Sequence, residues 1–84
     1  MLKFNSREEH SLPLIQVKLI EEILTPAQKK EIISSLTEAM VKIEGENLRP
    51  VTWVIIEEVR SAEWGIGGQP MTTEAVLALA RGKG

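Results

Sequence analysis

Residues 14–20, LIQVKLI, alternate in character: Ile15, Val17 and Leu19 fall on one face and Gln16 and Lys18 on the other. That period of two predicts a strand with one buried face. The rhythm then turns helical, with Ile32, Leu36, Ala39, Met40 and Ile43 forming an apolar stripe and Lys29, Lys30, Glu31, Ser34, Ser35 and Glu38 lying off it. Thr25 suits the N-cap, Pro26 the first helical position and Gln28 the third position of a capping box, while Gly45 can stop the helix, so the signals predict a helix over 26–44. Residues 51–59, VTWVIIEEV, are β-branched or aromatic and apolar on both faces at their centre, which predicts a second strand more deeply buried than the first. In EWGIGGQPM, the residues Gly65, Gly67, Gly68 and Pro70 predict a tight turn or short hairpin. Thr72 then caps a short last helix from Glu74 to Arg81, with Arg81 and Lys83 suiting its C-terminal end.

A strand, a helix and a strand joined by short links make a β-α-β unit with the two strands parallel. Both strand N-termini then lie at one edge, which places Pro13 near Arg49, Pro50, Val51, Thr52 and Trp53. Two strands and one long helix leave part of the sheet uncovered, and so small a sheet is marginal in water. Another copy of the same chain is the simplest cover, so a homo-oligomer that pairs sheets is expected, with the glycine turn reaching a neighbour.

The chain has 84 residues, enough for one domain and too few for a second packed core. Its 43% hydrophobic and 26% charged residues fit a globular domain. No cysteine is present, which removes disulfides and thiol chemistry and leaves any zinc site to one histidine and carboxylates, so no metal is expected. A net charge of -2 and the lack of a basic cluster argue against nucleic acid. No apolar run is long enough to cross a bilayer, and residues 1–12 lack the features of a secretory signal, so the expected location is cytoplasmic, without membrane partners.

Most polar residues have plain readings. His10 lies in the charged leader and reads as solvated. Glu57 and Glu58 are adjacent on a strand, point to opposite faces and cannot form a catalytic carboxylate pair, so they read as surface or interface charges. The serines have no nucleophile context, and a Ser-His-Asp triad is impossible because the chain contains no aspartate. The glycine-rich segment is no dinucleotide fingerprint, because Pro70 stands where the third glycine belongs, and no P-loop lysine follows it. Trp53 and Trp64, taken alone, read as core or interface filler.

The order of these pieces carries more. Pro13-Leu-Ile-Gln-Val-Lys on the first strand, a helix opening Thr25-Pro-Ala-Gln-Lys-Lys, then RPVTWVIIEEV and WGIGGQPMTTE resemble the tautomerase superfamily, specifically the small 4-oxalocrotonate tautomerase-like proteins. The likeness covers roughly residues 13–76, and its specific part is the WGIGG turn combined with the proline-led strand. It implies an α/β fold: a tautomerase-type β-α-β unit with a C-terminal glycine-rich hairpin, its sheets completed by oligomerisation, toward hexamers. It divides the chain into a leader, 1–12, and a tautomerase-like domain, 13–84.

In that family the mature chain begins with the proline, whose secondary amine is the general base of a keto-enol isomerisation. An α-amino group titrates at about 7.7–8.0 in isolation, close enough to neutrality to act as a base in a partly apolar pocket. Here Pro13 follows Leu12 in a peptide bond, and an amide nitrogen has its lone pair delocalised into the carbonyl. The leader is therefore expected to be removed, to be a lid or tail that blocks the proline in a non-catalytic oligomeric module, or to be a start-site artefact.

Family members that act on dicarboxylates carry one arginine in the loop after the first strand and another early in the second. In this chain the loop reads Glu22-Ile23-Leu24 and the strand position holds Trp53. Arg49 stands four residues upstream, about 13 Å away if the chain were extended. The family's hairpin aromatic corresponds to Trp64. The resemblance thus implies Pro13 as base, Trp53 and Trp64 as apolar walls and Arg49 as an anion contact. It implies no cofactor, and a small, less anionic enol or keto acid as substrate.

Overall fold

The computed structural model describes residues 12–82. Strand β1 (Leu14–Ile20) leads into helix α1 (Pro26–Glu44), a 3-10 segment (Glu46–Val51) and strand β2 (Trp53–Val59). A hairpin of β3 (Trp64–Ile66) and β4 (Gln69–Met71) follows, and helix α2 (Thr73–Ala80) comes last. The expected α/β arrangement is present, with β1 parallel to β2 in the register Leu14↔Trp53 through Ile20↔Val59, and β3 antiparallel to β4.

Local chemistry sets the bounds of α1. The Thr25 hydroxyl accepts from the Gln28 amide at 3.1 Å and the Gln28 side chain accepts from the Thr25 amide at 2.9 Å, which satisfies two N–H groups that the helix leaves without partners. Gly45 ends the helix at φ 107°, a conformation that costs glycine little. The second strand starts later than its composition suggests. Residues 46–51 take up the 3-10 turn instead, with the Leu48 amide donating to the Gly45 carbonyl at 3.2 Å and the Thr52 amide to the Arg49 carbonyl at 3.3 Å.

Pairing in register divides the sheet into two faces. Ile15, Val17, Leu19, Val54, Ile56 and Glu58 share one face, and Lys29 of α1 meets Glu58 there at 2.7 Å. Leu14, Gln16, Lys18, Trp53, Ile55 and Glu57 share the other, where Lys18 and Glu57 pair at 2.7 Å. The two adjacent glutamates therefore occupy opposite faces, as their spacing requires. The expectation that β2 is the more deeply buried strand does not hold in the single chain: none of its residues is buried, while Ile20 of β1 is. The helix covers one face only, so the apolar residues on the other have no cover from α1. Among the described residues the buried apolar side chains are Ile20 and Val41, and the buried polar one is Thr73.

Candidate active site

The edge at which β1 and β2 begin is built around the backbone. The Trp53 amide donates to the Pro13 carbonyl at 3.0 Å, making this the first bond that ties the proline to the second strand. Proline has no N–H to contribute, so its nitrogen is outside the ladder. Trp53 is held from the other side by its approach, because the Thr52 hydroxyl lies between the Leu48 carbonyl, at 2.8 Å, and the Glu44 carboxylate. Pro13 is half-buried, while Leu12, Leu14 and Trp53 are 64%, 52% and 61% exposed. The structure thus brings Pro13 and Trp53 together at an open, apolar edge.

Arg49 lies in the 3-10 segment, where the extended spacing to Trp53 does not apply because each residue advances only about 2 Å. Its guanidinium donates to both oxygens of two carboxylates: to Glu38 at 2.5 and 3.1 Å, and to Glu46 at 3.0 and 2.7 Å. Those hydrogen bonds hold the Glu38 and Glu46 carboxyls below the usual carboxylate range and push the Arg49 guanidinium up, with Glu46 the larger cause. An anion that approached Arg49 would compete with two carboxylates already in place.

Trp64 sits elsewhere. Together with Lys18, Ile20, Ile23, Met71 and Leu79 it lines an apolar cavity of about 340 Å³ at the opposite end of β1. From Pro13 to Lys18 along the strand is about 16 Å, so the chain does not bring its own Trp64 to its own Pro13. Ile23, from the loop after β1, also lines this cavity.

Three residues at this end were not singled out by pattern or motif. The Ser61 amide donates to the Glu21 carboxylate at 2.9 Å, the Thr73 amide to the Ser61 hydroxyl at 2.9 Å, and the Thr73 hydroxyl to the Glu21 carbonyl at 2.8 Å. They lie far apart in sequence and have ordinary polar side chains, so only their burial and pairing reveal them.

The family model described as "Tautomerase enzyme" matches residues 13–74, starting on Pro13 and ending just past the hairpin. The chain belongs to the tautomerase family. As a tautomerase it is an isomerase, and it is 36% identical over 61 residues to a probable tautomerase of Dickeya dadantii, a match covering 73% of this chain and 90% of that one. A probable tautomerase of Ralstonia nicotianae is 48% identical over 59 residues, covering 70% and 81%. Among solved structures, TomN, a 4-oxalocrotonate tautomerase homologue in the tomaymycin biosynthetic pathway, superposes with a TM-score of 0.64 at 28% identity, covering 81% of this chain and 95% of that one. DmpI from Helicobacter pylori gives 0.60 at 36% identity, covering 69% and 94%. The tautomerase is thus of the 4-oxalocrotonate tautomerase-like kind in fold as well as in sequence. Among the described residues, no helix is long and apolar enough to cross a membrane.

Proposed function

We propose that this tautomerase interconverts the enol and keto forms of a small keto acid, with the amine of Pro13 as general base once its nitrogen is free. The observation that carries the reading is the position of Pro13: it is the first residue of the family match and is fixed by its carbonyl to Trp53 at an open apolar edge. A free secondary amine there takes the proton of the enol hydroxyl as the carbonyl forms, and the resulting ammonium returns a proton to the substrate carbon, so that no proton is gained or lost overall. An apolar surrounding disfavours the ammonium and keeps more of the amine in its basic form near neutral pH.

The substrate class follows from what surrounds the base. By the family resemblance, the loop Glu22-Ile23-Leu24 and the strand position Trp53 lack the two guanidinium groups that would hold a dicarboxylate, and Arg49 can take an anion only by giving up one of its carboxylate partners. A monoanionic enol with an apolar body fits better than a dianion. Trp53 and Trp64 act as its walls, and because they lie at opposite ends of one chain, Trp64 serves the proline of a neighbouring copy. The active form is accordingly a homo-oligomer, a hexamer by family resemblance, that also covers the exposed Leu14 and Trp53. Sedimentation as a monomer at micromolar concentration would contradict this assembly.

A second reading has its own observation. In the full sequence the nitrogen of Pro13 is acylated by Leu12, and such a nitrogen is not a base. On that reading the chain is a non-catalytic oligomeric tautomerase-fold module. His10 and the rest of the 1–12 leader expected as a lid or tail lie outside the described residues, apart from Leu12. Rates of phenylenolpyruvate ketonisation by the full chain, by a chain starting at Pro13, and by Pro13→Ala in the short form separate the two. Activity confined to the chain with a free Pro13 supports the enzyme; equal, negligible rates in all three support the module.

A further inference from the structure

The hairpin that carries Trp64 is small. Each strand has three residues, and the turn between them runs through Gly67 and Gly68. A two-stranded hairpin of this size is not stable on its own, so the direction of Trp64 depends on how the hairpin's two feet are fastened. Both feet are fastened to one residue. Ser61, just before the hairpin, donates its amide to the Glu21 carboxylate, and Thr73, just after it, donates its hydroxyl to the Glu21 carbonyl. The Thr73 amide closes the triangle on the Ser61 hydroxyl, which thereby satisfies an N–H at the start of α2. Glu21 is itself tied to the end of β2, through its amide to the Val59 carbonyl at 2.8 Å.

Two backbone features mark the same place. Glu22 and Ala62, each directly following a member of this triangle, have φ of 62° and 71°, and they are the non-glycine residues with positive φ among those described. Such conformations persist where surrounding contacts over-determine them. Thr73 is 8% exposed, so its hydroxyl has little water to fall back on if the Glu21 carbonyl is lost.

We propose that Glu21, Ser61 and Thr73 are positioning residues, a polar clasp that sets the angle at which Trp64 is presented to the active site. This rests on the reading of Trp64 as a wall of the Pro13 pocket. Thr73→Val removes the hydroxyl and keeps the shape, Ser61→Ala removes the second link, and Thr73→Ser keeps the hydroxyl.

Trp64 emission is the first readout, taken in a Trp53→Phe background so that Trp64 reports alone and needing no turnover. Thr73→Val and Ser61→Ala are expected to red-shift the emission and raise its quenching by acrylamide, with Thr73→Ser matching the parent. The second readout is the pH profile of kcat/KM in the chain that starts at Pro13 and keeps Trp53. A loosened Trp64 admits water, so the amine's apparent pKa should rise toward the ordinary 7.7–8.0 of an α-amino group, with kcat/KM falling about tenfold. In a Trp64→Ala background, Thr73→Val should add no further change.

Unaltered Trp64 emission in folded Thr73→Val and Ser61→Ala proteins would overturn the clasp and leave Pro13 as base untouched. A drop in activity with an unmoved pH profile would also overturn it, reducing the three residues to general stability. Full activity of Pro13→Ala would instead remove the proposed function, while the emission result still decides the clasp.

Discussion

The two ends of the β1–β2 sheet are built by opposite means. At the starting edge, Pro13 and Trp53 are joined through main-chain atoms, and their neighbours Leu12 and Leu14 lie largely exposed. At the far end, side chains do the fastening: Glu21, Ser61 and Thr73 bind one another, and Ile20 is buried. One end is tied together by side chains of its own chain, although Ile66 and Leu79 stay exposed there, and the other is joined through the main chain alone. A site that needs both Pro13 and Trp64 therefore assembles across copies, and changes at the two ends should fail in different ways.

The largest expected effect is at the open edge. In a chain starting at Pro13, replacing the ring amine by Pro13→Ala should lower ketonisation by about 10²–10⁴-fold, the usual contribution of a positioned base, with little change in thermal stability. Steady-state rates and a melting curve on the same samples check both halves of the claim.

Next comes packing. Ile20→Ala should destabilise the fold by about 2–5 kcal/mol, because Ile20 is 4% exposed and its removal leaves a cavity. Leu14→Ala, at a position 52% exposed, should cost only about 0.5 kcal/mol within a single chain. Denaturation at several protein concentrations sharpens the contrast: a loss at Leu14 that grows on dilution shows that a second copy covers it.

A smaller effect tests the strain at the closed end. Ala62→Gly at φ 71° should stabilise by about 0.5–1 kcal/mol, the relief of a left-handed conformation less the greater chain entropy of glycine. Urea unfolding measures it, and a destabilised Ala62→Gly protein would break the account of that turn.

The smallest effect concerns Arg49. Glu38 and Glu46 have lowered carboxyl pKa values in the folded chain, so it binds fewer protons there than the unfolded chain, and their contribution is present above the unfolded carboxylate range. It is lost as pH falls from the ordinary carboxylate range through the lowered folded values. Both carboxylates are exposed and salt-screened, so Arg49→Ala should only slightly flatten the acid limb of the stability curve, and 1 M salt should erase the difference.

Legibility followed the range of the interactions. Helix α1 was readable at both ends because Thr25, Gln28 and Gly45 act within a turn of the chain they bound. The expected second strand loses its first two residues: Val51 and Thr52 are β-branched, yet the preceding Gly45 and Leu48 carry the local bonds of a 3-10 turn. Pro13 and Trp53 could be placed together from strand parallelism alone. The capture of Arg49 by Glu38 and Glu46 was hidden, since it depends on how the 3-10 segment folds back along α1. So was the placing of Trp64 away from its own Pro13, which is decided by bonds between residues 40 and 52 positions apart.

The bond from the Trp53 amide to the Pro13 carbonyl has a chemical consequence. It anchors the first residue of the family match by its carbonyl, the polar atom that remains the same whether or not anything is attached to its nitrogen. A chain beginning at Pro13 and a chain in which Leu12 precedes it can therefore make the same bond, so on the proposed function the chemistry of the nitrogen is set apart from the pairing that holds the residue in place.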